Sequence, residues 1–246
     1  MAWIKVYDVT GDPKYLSAAE DIYADLLTGF GTPCGGQWWT KKRAQVNSIN
    51  NELFLAVAAS LANRVHEKQS YYQDHASKQA YFLHNANLLN SNNTIVDGLT
   101  LNCFPEGDVF TYNQGVILGA YVEMHTLTQD PAYIDRATVI AGGALRHLVD
   151  ENGILTEMVD YPSDDHTACQ FKGIFARNLA ILHSTGASPD SAHYASFLRN
   201  NADSIWRTDR DYEGRLGSEW QGPVDNPSAA SHSSALDCLV AAAQVS

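Results

Sequence analysis

The sequence is short of basic residues, of long apolar runs and of closely spaced cysteines. It has 16 Lys and Arg against 28 Asp and Glu, which gives a formal net charge of -12 in 246 residues. A chain of this charge repels phosphate backbones, so the composition argues against nucleic-acid binding. No apolar run approaches the roughly 20 residues that span a bilayer, and no signal-peptide pattern precedes the fold, so no membrane span is predicted.

Motifs for metals and nucleotide cofactors are also missing. Cys34, Cys103, Cys169 and Cys238 are far apart, and the nine histidines show no H-x-x-x-H spacing. Structural zinc sites usually have close pairs such as C-x-x-C, and neither a P-loop nor a Gly-rich dinucleotide fingerprint is present, so no metal and no cofactor are predicted. Two disulfides in a secreted protein would fit, with three connectivities open, and Asn92 begins an N-glycosylation sequon that agrees with secretion.

What the sequence does have is an internal repeat. The segments TGDPKYLSAAEDI (10–22) and TQDPAYIDRATVI (128–140) share Thr, Asp, Pro and Tyr at identical offsets, 118 positions apart. Looser copies begin at Lys68 and Ser188. The period is therefore about 59 residues, longer than that of the common solenoid repeats.

Each repeat has the pattern of a helical hairpin. Asp12-Pro13 and Asp130-Pro131 each place an acidic cap before a proline at the predicted first helical position. No alternating strand is evident outside the Gly-, Pro- and polar-rich loops between helices, so the predicted class is all-α. The strongest helical segments are 14–28, 47–65, 69–88, 113–127, 131–149, 169–184, 190–206 and 230–245.

Helices of two kinds alternate along the chain. NELFLAVAASLA, QGVILGAYVEM, FKGIFARNLAIL and SSALDCLVAAA are apolar on most faces, as in helices buried all round, whereas the intervening helices carry more charge. Long loops follow the charged, outer helices. This asymmetry predicts a toroid of hairpins with all long loops, and hence the site, at one end; an open stack of hairpins is the alternative.

Several segments together resemble one enzyme family. They are CGGQWWTKKRAQVNSINNELFLAVAASLANR (34–64), TYNQGVILGAYVEM, NGILTEMVDY, FKGIFARNLAILH, NADSIW and HSSALDCLVAAA. They are similar to glycoside hydrolase family 76, the endo-α-1,6-mannanases of bacteria and fungi, and look closest to the fungal members. The resemblance implies a single (α/α)6 toroid domain over 1–246, hydrolysis of α-1,6-mannan with retention or action on mannose-containing cell-wall glycans, and a secreted or cell-wall location.

The resemblance also implies a catalytic pair that this chain lacks. Family members carry two consecutive aspartates, in a motif like Y-D-D-E, on the inner helix before the first TGDP turn. Counting back from Trp3, or shifting Tyr112 to Gln114 back by 118, places that pair upstream of Met1. Six hairpins of about 59 residues need about 350 residues, so we expect an incomplete toroid of about four to five hairpins. The trivial explanation for the missing pair is that the start of the coding sequence is mis-assigned.

An incomplete toroid leaves apolar helix edges open, which a partner, a swapped second copy or a rearranged closure is expected to cover.

Candidate binding residues cluster in the resembling segments. Trp38 and Trp39 follow two glycines, and one of the two rings is expected to stack on a pyranose face. Asn51 and Glu52 open an inner helix, where sugar binding and simple helix capping by Asn50 or Asn51 are both compatible with the sequence.

The next inner helices supply the other candidates. Tyr112, Asn113 and Gln114 occupy the repeat position of the missing catalytic segment and are predicted to face the central cavity. Lys172 lies on an inner helix, where a cation must pair with an acid or reach the cleft.

Two acidic candidates lie in the third long loop. Glu157 is predicted to line the cleft or to anchor the loop, and Asp165 to contact substrate. The pair Asp164-Asp165 lies in a Pro/Ser loop, where adjacent aspartates are mostly solvated, so a catalytic role for it is disfavoured. The sequence thus predicts a family 76-like hydrolase of α-mannan whose catalytic carboxylates lie outside the chain; the alternative is a non-catalytic module that binds mannan or mannose oligosaccharides.

Overall fold

The computed structural model describes residues 1–157, 167–225 and 227–245. Over these ranges the chain forms nine α-helices, and the all-α prediction is confirmed. The helices are α1 (Ala2–Thr10), α2 (Lys14–Leu26), α3 (Ser48–Ala62), α4 (Gln69–Asn85), α5 (Thr111–Thr128), α6 (Ala132–His147), α7 (Phe171–Ser184), α8 (Ser191–Thr208) and α9 (Ala229–Gln244). Three two-residue strands, β1 (Val46–Asn47), β2 (Gly98–Leu99) and β3 (Pro105–Glu106), form an antiparallel sheet in the order β1-β2-β3.

The Asp-Pro dipeptides start the outer helices as predicted, one residue later than expected. Asp12 Oδ1 accepts a hydrogen bond from the backbone N–H of Lys14 (3.1 Å), and Asp130 Oδ1 accepts one from Ala132 (2.9 Å). Each carboxylate thereby satisfies a backbone donor that has no partner within its helix. Gly11, with φ of 66°, ends α1 in the left-handed conformation that glycine adopts without strain.

One capping prediction is wrong. Helix α3 begins at Ser48 with Asn47 at the cap position, so Asn50 and Asn51 lie within its first turn. The Ser48 N–H is bonded instead by the backbone oxygen of Asp97 in the second long loop, at 2.6 Å. A contact from 49 residues away has taken the place of a local cap.

The inner helices α3, α5, α7 and α9 form one row, in which α3 packs on α5, α5 on α7 and α7 on α9. Helices α4, α6 and α8 each pack outside the inner helix that precedes them. Glycines bring the inner helices close together: a Cβ at Gly115 would lie 2.6 Å from Phe175 Cα, and one at Gly173 would lie 2.7 Å from Ser234 Cα. These distances are shorter than van der Waals contact, so only glycine fits at both positions.

The long loops confirm the repeat. Each begins with an isolated antiparallel bridge, and successive bridges begin 59 to 61 residues apart. The bridges are Phe30–Gln37, Leu89–Ile95, Val149–Leu155 and Arg210–Leu216. Neighbouring loops also bond to each other through the β1-β2-β3 sheet, which joins the first two. The long loops therefore meet at the end of the fold where the inner helices begin.

A single disulfide, Cys34–Cys103, links the first two long loops in the part of the chain that the structure describes. The two-disulfide hypothesis is wrong, because Cys238 is a fully buried thiol on α9 whose nearest polar partner is the Leu198 backbone oxygen. Among the helices described above, none is long and apolar enough to cross a membrane.

Candidate functional site

Three of the long loops share a turn that brings one residue to the start of an inner helix. Asn90, Asp150 and Asp211 each accept hydrogen bonds through Oδ1 from the backbone N–H groups two and four residues later. The third residue after each of them has a positive φ: Asn93 (59°), Gly153 (74°) and Gly214 (83°). Because the turns match, the second residue after each bridge occupies an equivalent position, held by Asp97, Glu157 and Ser218.

Each of these three residues bonds to the N-terminal turn or cap of an inner helix. Asp97 Oδ2 accepts from Asn47 Nδ2 at 2.7 Å, before α3. Both carboxylate oxygens of Glu157 accept from Thr111, one from its backbone N–H at 3.1 Å and one from its hydroxyl, at the first residue of α5. The Ser218 backbone oxygen accepts from Lys172 Nζ at 2.6 Å, on α7. Carboxylates at helix N-termini are favoured by the unpaired N–H groups there.

Glu52 and Asn113 are two polar side chains of this region without a hydrogen-bond partner among the described residues. Both are fully buried, and neither the Glu52 carboxyl oxygens nor the Asn113 amide atoms are hydrogen-bonded within the described ranges. Each unsatisfied buried group costs about 1–3 kcal/mol. Such groups are retained at functional sites, where a ligand or ordered water completes them.

Tyr112 connects Asp97 to the next helix. Its hydroxyl donates to Asp97 Oδ1 at 3.0 Å, and its ring stacks on Phe110 and meets the edge of Phe171, with centroids 5.3 and 4.2 Å apart. We call Glu52, Asp97, Asn113, Glu157 and Lys172 the polar band. It follows the N-terminal ends of α3, α5 and α7, with half-buried aromatic rings between its members.

The band ends in a buried cluster under the last long loop. Lys172 Nζ lies 4.8 Å from the ring centroid of Trp220, which is fully buried. Asp225 accepts two hydrogen bonds from Ser218: Oδ1 accepts one from the backbone N–H at 2.7 Å, and Oδ2 accepts one from the hydroxyl at 2.6 Å. Asp209 is also fully buried, and neither of its carboxyl oxygens has a hydrogen-bond partner among the described residues.

Burial favours the neutral forms of Glu52, Glu157 and Lys172. It raises the pKa of Glu52 well above its usual range, and the nearby Asp97 charge adds to the shift. It raises the pKa of Glu157 to about 7 although Thr111 bonds favour the charged form. Burial also lowers the pKa of Lys172, against the attraction of Glu219 and Glu157. Carboxyls with a pKa near neutrality can both donate and accept protons, a property common at functional sites.

Two predicted site residues serve the scaffold instead. Asn51 accepts from the Gln37 backbone N–H (2.8 Å) and from Gln79 Nε2 (2.9 Å), and its Nδ2 donates to Asn47 and Gln37 backbone oxygens. Gln114 bonds both the N–H and the oxygen of Ile95. These bonds hold the first and second long loops, and the sugar-binding role predicted for Asn51 and Gln114 stays a prediction.

The tryptophan pair lies beside the band. Trp39 is 47 % exposed, whereas Trp38 is half-buried against the core. The two rings line an open groove of 590 Å³ between the end of α2 and the start of α3. Asp165 and its neighbour Asp164 lie outside the described residues.

Sequence reasoning missed Asp97, Asp209, Asp225 and Trp220. The loop repeat could have indicated Asp97, because it occupies the position that Glu157 occupies one repeat later. For the other three, no local signal distinguishes them from ordinary loop residues. Within the described ranges, no three His, Cys, Asp or Glu side chains are grouped so that they could hold a metal ion.

Solved structures with this fold are known. The Lin0763 protein from Listeria innocua superposes with a TM-score of 0.83 at 26% identity, over 98% of this chain and 69% of that one. The GH76A α-1,6-mannanase from Salegentibacter sp. HEL1_6 superposes with a TM-score of 0.87 at 20% identity, over 100% and 73%. Dfg5 from Chaetomium thermophilum, solved with glucosamine, superposes with a TM-score of 0.77 at 19% identity, over 91% and 59%.

No curated protein sequence matches the chain. The sequence model of glycosyl hydrolase family 76 matches residues 1–245, nearly the whole chain. Together with an all-α fold shared with mannanases, this match shows that the chain belongs to glycosyl hydrolase family 76.

Proposed function

We propose that the polar band binds α-1,6-linked mannose oligosaccharides, as part of a mannanase-like glycoside hydrolase acting on α-1,6-mannan or related cell-wall glycans. The observation that carries this proposal is a pair of buried side chains, Glu52 and Asn113, that have no hydrogen-bond partner within the described ranges. Sugar hydroxyls both donate and accept hydrogen bonds, so they match a neutral carboxyl and an amide better than a purely anionic or apolar ligand would.

Two features of the surroundings support a sugar ligand. The half-buried ring of Tyr112 and the exposed ring of Trp39 offer flat surfaces next to polar groups, and aromatic faces pack on the apolar faces of pyranoses. Inactive variants of the Salegentibacter mannanase, with two consecutive aspartates replaced, have been solved with α-1,6-mannotetrose and α-1,6-mannotriose. Those ligands belong to that protein, and their class is proposed for this one by family membership.

We propose further that residues 1–246 alone bind such glycans without cleaving them. A retaining glycosidase needs two carboxyl groups about 5–5.5 Å apart. The family's Asp-Asp pair is expected before α1, at the repeat position that Asn113 occupies on α5. The alternative role, a non-catalytic mannan-binding module, makes the same prediction for this chain.

The cellular setting is part of the proposal. The Cys34–Cys103 disulfide is typical of an oxidising compartment, which supports a secreted or cell-surface location. The closeness to fungal members stays a prediction. A partner or second copy that covers the helix edges also stays a prediction; Val9, Leu236 and Val240 at these edges are 86, 46 and 49 % exposed. Sedimentation at several protein concentrations tests this prediction.

Titration calorimetry with α-1,6-mannotriose tests the binding proposal, with the α-1,6-linked glucose trisaccharide as the matched control. We expect a Kd between about 10 µM and 1 mM for the mannose trisaccharide, in the ordinary range for small ligands, and at least about fivefold weaker binding of the glucose one. Absence of mannotriose binding at about 10 mM ligand would refute the proposal. Release of reducing ends from α-1,6-mannan at the rate of a full-length relative would refute the non-cleaving part alone.

A further inference from the structure

The tryptophan groove adjoins the polar band. Trp38, Trp39 and Asn50 line it on one side, and the end of α2 lines it on the other. Asn50 lines the groove, and Asn47, at the cap of the same helix, is bonded to Asp97 of the band, so the groove and the band both lie at the N-terminal end of α3. Of the groove's lining residues, the proposed function above uses only the Trp39 ring.

Three consecutive cations stand at the rim of the groove. Lys41, Lys42 and Arg43, which we call the basic turn, are the only run of three basic residues in a chain of net charge -12. Lys41 and Arg43 line the groove together with Trp39. Because the chain has 28 acidic residues and only 16 basic ones, three consecutive cations make this segment locally positive in an acidic protein.

Backbone hydrogen bonds fix the conformation of the basic turn. The Trp39 N–H donates to the Gln45 backbone oxygen at 2.8 Å, and the Arg43 N–H donates to the Thr40 oxygen at 2.9 Å. Arg43 has φ of 55°, in the left-handed region that a long side chain seldom adopts. Strained residues of this kind persist where their surroundings hold them, often at ligand sites.

The charges of the basic turn are largely unneutralised. Lys41 faces Asp25 at 3.5 Å, with both side chains mostly exposed, and such pairs contribute little. Neither Lys42 nor Arg43 has a carboxylate within ion-pair distance among the residues described. The groove also holds two buried polar atoms, Trp38 Nε1 and Asn50 Oδ1, that have no hydrogen-bond partner in the described part of the chain.

From this geometry we infer that the tryptophan groove is a subsite for a sugar that carries an anionic substituent, such as a phosphate ester. Trp39 packs on the pyranose, Trp38 Nε1 and Asn50 Oδ1 bond its hydroxyls, and the basic turn contacts the anion. The inference rests on the proposed function, since the same glycan runs from the polar band into the groove. The polar band holds one lysine and three carboxyl groups, whereas the basic turn holds three cations, so the anion is favoured at the groove end of the glycan.

Calorimetry with two ligands tests the inference: α-1,6-mannotriose and the same trisaccharide phosphorylated at a terminal mannose. At about 20 mM ionic strength we expect the phosphorylated form to bind about tenfold tighter, and at about 0.5 M salt, where screening acts within a few ångströms, the advantage should fall below about twofold. The variant Lys41→Ser/Lys42→Ser/Arg43→Asn should lose the advantage and keep the affinity for the neutral trisaccharide. Asn tolerates the positive φ at position 43.

The matched control is Lys5→Ser/Lys78→Ser/Arg207→Ser, which lowers the net charge equally at three exposed sites elsewhere. It should keep the tenfold advantage. Three results would each overturn the inference while leaving the binding of neutral mannotriose intact. They are equal affinity of the unmodified chain for the two trisaccharides, an affinity advantage of the phosphorylated form that does not change with salt, and an equal loss of that advantage in both triple variants. Inorganic phosphate binding as tightly as the phosphorylated trisaccharide would show a free-anion site and overturn it too. Loss of all trisaccharide binding would instead sink the proposed function itself.

Discussion

Replacing Asp209 by Asn is expected to stabilise the protein at high pH and to leave it unchanged at low pH. Asp209 is fully buried, and its carboxyl oxygens have no partner in the described part of the chain. Burial, with the neighbouring Asp225 charge, raises its pKa from 3.8 to about 7. The ionised form is therefore disfavoured in the folded protein relative to the unfolded one.

The sign and size of the effect follow from this shift. The unfolded chain releases the proton near pH 4 and the folded one near pH 7, so between these values the folded state binds more protons and stability falls as pH rises. At about 1.4 kcal/mol per pKa unit, the loss is complete above pH 7 and amounts to at most roughly 4 kcal/mol. Asn has nearly the same shape and no charge, so Asp209→Asn should be about 2–4 kcal/mol more stable than the parent at pH 8.5 and within about 1 kcal/mol of it at pH 4.5.

Urea unfolding followed by circular dichroism at several pH values measures the difference. The control is Asp203→Asn on α8, the helix that Asp209 directly follows; the exposed Asp203 carboxylate pairs only weakly with Arg207. It should change stability by less than about 0.5 kcal/mol at every pH. A stability difference for Asp209→Asn that does not depend on pH, or one matched by Asp203→Asn, would refute the reasoning.

Three further predictions concern binding and packing. Asn113→Ala should weaken mannotriose binding at least about fivefold in calorimetry with no loss of thermal stability, because its amide bonds no described protein group; a fall in Tm would instead show a scaffold role. Replacing both Cys34 and Cys103 by Ser should lower the free energy of unfolding by about 2–4 kcal/mol in urea, since the bond closes a loop with a separation of 69 residues, and an unchanged midpoint would contradict this. Gly115→Ala should destabilise by about 1–3 kcal/mol because its Cβ meets the backbone of α7, whereas Gly142→Ala, which meets only the flexible end of Arg146, should be neutral or stabilising in the same unfolding assay.

The sequence by itself determined the helices and their repeat. Inner helices that are apolar on most faces and Asp-Pro starts on the outer ones are local signals, because helical periodicity and the first-turn hydrogen bonds depend on residues within a few positions. All eight predicted segments correspond to α2–α9, and the bridges of the long loops recur at the predicted period. The cap of α3 was predicted wrongly because the acceptor of its first N–H, the Asp97 backbone oxygen, comes from the second long loop.

Only the tertiary structure decided which side chain of each polar cluster is available to a ligand. Asn51 and Glu52 are adjacent, as are Asn113 and Gln114, yet in each pair one side chain is bonded to a loop and the other has no partner among the described residues. The side chains of adjacent helical residues point about 100° apart. Which of the two meets a bonding partner depends on distant segments: the partners of Asn51 are 14 and 28 positions away. The burial that shifts the pKa of Asp209 depends likewise on packing between distant segments, which no local pattern encodes.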